Sequence, residues 1–302
     1  MSQKHLISII GPTAVGKTSL AIAISKHYNA PILSADSRQF YKEMAIGTAV
    51  PSPAELAEAP HFFIQHKSIH ESYNVGDFER EAMAFLEHHY KTNDIAILVG
   101  GSGLYTDAVC QGLDVFPKVP MEIRSQLNEQ HRSQGLEGLQ RELARVDPKA
   151  YKQIDCNNPV RVIRALEVYK ASGKPFSSFQ NQSKPTRPFI VHTIGIQAPR
   201  DALYERINKR VDLMIEMGLE KEVQALYPFK TLNALNTVGY KELFACIDGD
   251  FSRSEAIEEI KKNSRRFAKR QGTWNRKKTE VFWVCFTEAK EKSLQHLEAL
   301  IR

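Results

Sequence analysis

With 302 residues, 42% of them hydrophobic and 25% charged, the chain has apolar surface for one large domain or two modest ones. It contains no run of eighteen apolar residues, and its start lacks the charged, apolar and cleavage regions of a signal peptide, so a cytosolic protein with no membrane partner is expected. The net charge of +6 is uneven: residues 261–278 hold nine Lys or Arg and no Asp or Glu.

The chain opens with His5-Leu-Ile-Ser-Ile-Ile10, an apolar run of strand type. Gly11-Pro12-Thr13-Ala14-Val15-Gly16-Lys17-Thr18 follows, and then a helix over 19–26 with apolar positions at Leu20, Ile22, Ala23 and Ile24. A strand, the pattern G-x-x-x-x-G-K-[ST] and a helix, in that order, make a phosphate-binding loop. The glycines let the backbone curl until successive N–H groups face one anion. Lys17 adds a point charge, Thr18 offers a hydroxyl to a magnesium ion, and the helix adds its positive end. The candidate ligand is a di- or triphosphate.

A second strand is expected over 30–35, ending in Asp36-Ser37-Arg38-Gln39-Phe40-Tyr41. Ligands of open parallel sheets sit beyond the carboxyl ends of the strands. Asp36 therefore either faces the phosphate loop across a cleft or merely caps the next turn. Residues 61–64 form a candidate short strand. His61, His66 and His70 have no thiol or acid at ligand spacing and are taken as loop histidines. Asp77 is the expected cap of a helix through Tyr90. Residues 94–99 are the clearest buried strand, closing in Gly100-Gly101-Ser102. Many phosphate-loop NTPases place an Asp there for magnesium. Two glycines instead predict the close approach of another backbone or a ligand, and argue against an ordinary ATPase.

Residues 121–146 read as polar and helical, and Asn158-Pro159 starts a helix that Gly173 ends. A loop is expected over 177–188. Residues 117–188 are the expected helical insertion, with 1–116 and 189–302 as the core. A second basic stretch lies here: Arg161, Arg164, Lys170, Lys174, Lys184 and Arg187 against Glu167 alone. Two such stretches suit a polyanion larger than a nucleotide, or else are solvated helix faces. Residues 189–196 return as a strand. Residues 200–217 form a helix stopped by Gly218, with Arg206, Lys209 and Arg210 facing one way, and a further helix starts around 236–241. The long basic helix over 254–276 is expected to be interrupted at Gly272, and a last strand over 280–286 precedes a closing amphipathic helix. Cys110, Cys156, Cys246 and Cys285 form no C-x-x-C pair, so buried free thiols are expected.

These pieces together resemble the tRNA dimethylallyltransferase family. The matching residues are the loop 11–18, Asp36-Ser-Arg-Gln39, Tyr41 with Gly47-Thr48-Ala49, Ala59-Pro60-His61 and Leu98-Val-Gly-Gly-Ser-Gly-Leu-Tyr105. They continue in Asn158-Pro-Val-Arg-Val-Ile-Arg-Ala-Leu-Glu-Val168, Val238-Gly-Tyr240 and Lys269-Arg-Gln-Gly-Thr-Trp274, so the likeness covers almost the whole chain. Ser102 stands where Thr is common, and Arg38 fills a variable place. The fold implied is α/β, a P-loop NTPase-like parallel sheet of the nucleotide-kinase type with a helical insertion.

The resemblance implies that a dimethylallyl group passes from dimethylallyl diphosphate to N6 of the adenine 3′ of the anticodon. Gly11 to Thr18 would hold the diphosphate, with Mg2+ near Thr18. Lys17 and Arg210 would stabilise charge growing on the leaving group, and Asp36 would take the N6 proton. An adenine stacked in the anticodon loop must turn out to reach the cleft. Gln39 would bond an adenine edge or the neighbouring base. Asp36, Ser37, Arg38, Gln39, Ser102, Arg124, Val160, Arg161, Val162, Ile163, Arg164, Lys269, Arg270 and Gln271 are the candidate tRNA contacts. A monomer is expected. The rivals are a small-molecule or nucleoside kinase on the same fold, an enzyme that prenylates free AMP, and a non-enzymatic RNA-binding protein.

Overall fold

The sequence run His5–Ile10 becomes the central strand β1, buried along its whole length. A strand covered on both faces needs continuous rather than alternating apolar residues. The structure is a computed structural model and describes residues 2–180 and 185–301. The chain divides into two compact units, Met1–Gln111 with Arg187–Arg302, and Gly112–Thr186.

In the first unit, β1 leads into α1 (Lys17–Tyr28), β2 (Ile32–Ser34), α2 (Pro53–Glu58), β3 (His61–Phe62), α3 (Val75–His89), β4 (Ile95–Val99) and α4 (Gly103–Gln111). The second unit contributes α5 (Met121–Gln134), α6 (Glu137–Val146), α7 (Pro148–Gln153) and α8 (Pro159–Ser172). The first unit resumes with β5 (Ile190–Gln197), α9 (Arg200–Glu216), α10 (Leu219–Leu226), α11 (Tyr240–Asp248), α12 (Arg253–Asn275), β6 (Phe282–Cys285) and α13 (Ala289–Leu300).

Among the described residues the sheet has six strands in the order β3-β2-β4-β1-β5-β6, all paired in parallel. β1 lies between β4 and β5, so the chain leaves it to one side for β2 and comes back on the other at β5. Such a reversal opens a crevice at the carboxyl ends of the strands, where the loops after β1, β2 and β4 meet. One face buries Ile7, Ile9, Ile97 and Ile194 against Leu20 and Ile24 of α1 and Ile207 of α9. The other buries Leu6, Leu33 and Leu98 against Phe78, Ala82 and Leu86 of α3. A further cluster joins Met44 to Val223, Tyr240, Phe244 and Ile260. The second unit has its own core of Leu127, Leu139, Leu143, Val162, Ile163 and Leu166.

Several local expectations change. Asn74, not Asp77, caps α3; Asp77 is the returning partner of its capping box, its side chain accepting the Asn74 N–H at 2.9 Å. The expected helix 121–146 is two, broken at Gly135 with φ +76°. α12 runs unbroken through Gly272, because a capping box of Ser252 and Glu255 and the burial of Ala268, Gln271 and Asn275 outweigh one glycine. The four cysteines are free but half-buried rather than buried. His61 lies in β3. Lys184, and with it part of the expected loop 177–188, lies outside the described residues; Phe176–Phe179, at the start of that loop, is a short 3-10 helix. Among the described residues no helix is long and apolar enough to cross a membrane.

Candidate active site

The phosphate loop takes its expected shape for reasons visible in its residues. Gly16 carries φ +106°, an angle that L side chains rarely adopt, and directly precedes α1. A Cβ at Gly11 would stand 2.8 Å from the Ile196 carbonyl oxygen of β5, so glycine is needed there for the strand's approach. The loop is then tied from outside. Gln271 of α12 accepts the Thr13 N–H at 2.8 Å, and Arg206 of α9 donates to the Ala14 carbonyl at 2.8 Å. Arg210, one turn on, reaches the Thr13 hydroxyl at 3.3 Å.

Lys17 donates to the Pro12 carbonyl at 2.8 Å. Burial pushes its ammonium down to about 8, with the neighbouring Asp36 acting against the shift and Arg210 adding to it. Arg210 is lowered too, again by burial and against Asp36. Lys17, Arg206, Lys209 and Arg210 line the first cavity against Asp36 and Glu55, an excess of positive charge that an incoming diphosphate would neutralise.

Asp36 does both of the things that the sequence left open. Its Oδ1 accepts the Arg38 N–H at 3.1 Å and so shapes the turn after β2. Its Oδ2 points elsewhere: a Cβ at Gly101 would be 3.4 Å from it. The glycines closing β4 are explained by the same neighbourhood. A Cβ at Gly100 would lie 2.6 Å from the Ala35 carbonyl carbon, and one at Gly101 would lie 2.5 Å from Gln271 Nε2.

Two cavities meet here. The first, of about 520 Å³, is lined by Lys17, Thr18, Ser34, Gln39, Ala49, Val50, Pro51 and Ile64 among others. The second, of about 700 Å³, is lined by Ser37, Arg38, Ser102, Leu104, Phe267, Arg270 and Trp274 among others. Thr13, Asp36, Gly101 and Arg210 line both. Asp36 stands at the junction. The first chamber is cationic and phosphate-loop-based, and the second carries three aromatic side chains, the half-buried Tyr105 with Phe267 at 38% and Trp274 at 42% exposure. Trp274 is aimed by its indole N–H, which donates to Asp107 Oδ2 at 2.8 Å.

Known proteins share this chain's pattern. A family model described as IPP transferase matches residues 39–278. The chain belongs to the IPP transferase family. A tRNA dimethylallyltransferase of Christiangramia forsetii is 55% identical over 297 residues, covering 98% of each chain. One of Bacteroides fragilis is 42% identical over the full length of both. The crystal structure of the tRNA isopentenylpyrophosphate transferase of Bacillus halodurans is 36% identical with a TM-score of 0.73, over 99% of this chain and 96% of that one. A eukaryotic dimethylallyltransferase seen acting on tRNA is 26% identical with a TM-score of 0.81, over 99% of this chain and 78% of that one. The fold is accordingly the P-loop NTPase-like α/β fold of these transferases.

Within this IPP transferase chain the candidate tRNA contacts divide. Asp36, Ser37, Arg38, Ser102, Arg270 and Gln271 come together at the second cavity, while Gln39 faces the first. Lys269 is exposed on α12 and lines neither. Several of these side chains are already engaged. Gln271 is 6% exposed and spends its amide on Thr13 and Gly101, so it braces the site rather than reading RNA. Gln39 donates to the Thr48 and Ala49 carbonyls at 3.3 and 2.9 Å, and Arg38 donates to the carbonyls of Asn233 and Ala234. In the second unit Val160 and Arg161 are exposed at the start of α8, but Val162 and Ile163 are corrected to core residues at 0% and 7% exposure. The helical period turns them inward. Glu167, fully buried, accepts both Arg124 Nε and Nη2 at 2.6 and 2.7 Å and also pairs with Arg164, presenting two guanidiniums side by side.

Sequence reasoning missed Phe267 and Trp274 as cavity walls and Arg206 as a loop tie. Arg206 carried a signal, its spacing with Arg210 along one helix face. Phe267 carried none, because an apolar residue in a basic helix reads as packing.

Proposed function

We propose that this chain transfers the dimethylallyl group of dimethylallyl diphosphate to N6 of the adenine 3′ of the anticodon in tRNA, releasing diphosphate. The observation that carries this is the position of Asp36, which lines both the phosphate-loop cavity and the aromatic-lined one. Diphosphate seats on the loop N–H groups, Lys17 and Arg210. The allylic C–O bond breaks with its electron pair leaving on the diphosphate, where those cations stabilise the charge that develops. The N6 lone pair forms the new C–N bond, and the N6 proton passes to Asp36. The adenine, turned out of its stack, lies in the second cavity against Phe267 and Trp274. Arg266, Lys269 and Arg270 on α12, and Arg124, Arg161 and Arg164 in the second unit, meet RNA phosphates.

Magnesium suits the donors present. Thr18 offers its hydroxyl oxygen in the first cavity, and Mg2+ characteristically takes one or two protein oxygens and completes its shell with substrate phosphate and water. When bound it would neutralise charge on the diphosphate. We place the enzyme in the cytoplasm as a monomer. A kinase on the same fold would use ATP, yet the strand-end acid that many ATPases use is replaced by Gly100 and Gly101.

Labelled dimethylallyl diphosphate, magnesium and bulk tRNA test the proposal directly. Label entering RNA is expected. Failure of label to enter tRNA, together with ATP hydrolysis stimulated by a small alcohol, would favour the kinase instead.

A further inference from the structure

Two motifs met in the sequence, Gly47-Thr48-Ala49 and Val238-Gly239-Tyr240, have no chemical part in the transfer described above. They pack on each other. A Cβ at Gly47 would lie 2.5 Å from Tyr240 Cε2, and Tyr240 is fully buried. Both are held by one carboxylate, Glu222 in α10. Its Oε2 accepts the N–H groups of Ala45 at 3.0 Å and Ile46 at 2.8 Å. Its Oε1 accepts the Gly47 N–H at 3.0 Å and the Tyr240 hydroxyl at 2.6 Å. Three successive amides turned toward one anion form a nest of the kind that binds phosphate. Here the protein's own side chain fills it.

The segment so gripped runs straight into the walls of the site. Thr48 Oγ1 returns to the Met44 carbonyl at 2.6 Å, and Ala49 turns through a left-handed φ of +49°. The Thr48 and Ala49 carbonyls receive the Gln39 amide, whose Oε1 accepts the Ser34 hydroxyl at 3.0 Å. Ala49, Val50 and Pro51 line the first cavity, and Gly47 and Thr48 line the second. Glu222 lines neither. It therefore acts on the chambers beside Asp36 through what it holds, the 45–47 segment and Tyr240, whose neighbours Val238 and Gly239 also line the second cavity.

We infer that Glu222 is a positioning residue for the transfer: by filling the amide nest of residues 45–47 it sets the wall against which donor and acceptor are aligned. This rests on the prenyl-transfer reading of the site. No close substitute keeps the geometry. Glutamine turns an N–H donor toward groups that are themselves donors, and aspartate is one methylene short of reaching all four.

The test compares Glu222→Gln and Tyr240→Phe in the full chain. The first readout needs no turnover: amide hydrogen exchange at residues 45–47 is expected to accelerate at least about tenfold in Glu222→Gln. The second is the single-turnover rate with saturating dimethylallyl diphosphate and tRNA. We expect about a ten- to hundredfold fall, the scale of an ångström of misalignment, while equilibrium affinity for the donor stays within about twofold. Tyr240→Phe, which removes one of the four hydrogen bonds, is expected to lose rate severalfold with its melting temperature nearly kept. A folded Glu222→Gln protein with wild-type rate overturns the inference, and so does a loss of donor affinity as large as the loss of rate. If Glu222→Gln does not fold, an unchanged rate in Tyr240→Phe overturns it. A wild-type chain that transfers no label sinks the prenyl-transfer reading instead, and unchanged exchange at 45–47 in a folded Glu222→Gln would still separately sink the nest.

Discussion

Gln271 Nε2 donates to the carbonyl of Gly101 at 2.8 Å while its Oε1 accepts the Thr13 N–H, so one amide on α12 joins the end of β4 to the phosphate loop. Gly101 makes the approach possible, because its missing Cβ leaves the space that the amide occupies. Gln271→Leu keeps the bulk but strands a donor and an acceptor in a half-buried place. Each unmade bond of this kind costs about 1–3 kcal/mol. The variant should melt lower and bind dimethylallyl diphosphate more weakly. Calorimetric melting beside donor titration checks both, and unchanged values would remove the brace.

Lys17 gives a pH-dependent expectation. Folding lowers its ammonium from 10.5 to about 8 through burial. Between those values the unfolded chain holds the proton and the folded chain does not, so this group makes stability rise as pH climbs from about 8 toward 10.5. Below about 8 both states are charged, and the burial penalty is present in full. Lys17→Met should therefore be no less stable than the wild type at neutral pH, and should lose that rise in chemical denaturation series. Donor affinity should move the other way in the wild type, weakening above about pH 8 as the free enzyme loses the charge. In Lys17→Met it should be weak throughout, by about 1.5–3 kcal/mol, the worth of one charge-assisted bond.

Asp36→Asn isolates proton transfer. Asparagine still accepts the Arg38 N–H through its amide oxygen, so the turn after β2 should persist and melting should shift little. The chemical step should slow by about 10²–10⁴-fold. Single-turnover rates at saturating tRNA measure it. A fully active variant would leave the base unidentified.

On α12, Arg266, Lys269 and Arg270 are exposed, whereas Arg265 is half-buried and bonded to Asn208 at 2.7 Å. Replacing the three exposed residues by Ala should raise the KM for tRNA. The log–log salt slope should flatten by up to about 0.7–0.9 for each RNA phosphate that is no longer neutralised. Arg265→Ala should change stability more than the salt slope. Salt titrations of tRNA binding separate the two classes, and identical slopes in all variants would make the stretch a solvated face.

What could be read in advance was whatever is local. The phosphate loop, the strand before it and the helix after it lie within one continuous stretch, and Asp36 follows a short apolar run. Gly100-Gly101 announced a close approach without naming Ala35 or Gln271 as the neighbours. Gln271 and Val162 show the opposite case. Both sit in motifs that resemble RNA-binding stretches, yet helical rotation turns Val162 into a core and Gln271 onto a distant backbone. Glu222 was invisible for a related reason: a glutamate in an amphipathic helix looks like a solvated charge until the three amides that it binds are brought up from residues 45–47.

The brace on the phosphate loop has a consequence for biosynthesis. Thr13 and Gln271 are 258 residues apart, so at the usual rate of about 5–20 residues per second translation separates them by roughly ten seconds to a minute. Through that interval the Thr13 N–H of the phosphate-loop sequence has no amide to meet, and for the larger part of it β1 also lacks β5, which ends at Gln197. The brace on the phosphate loop is thus completed late, once α12 has emerged from the ribosome.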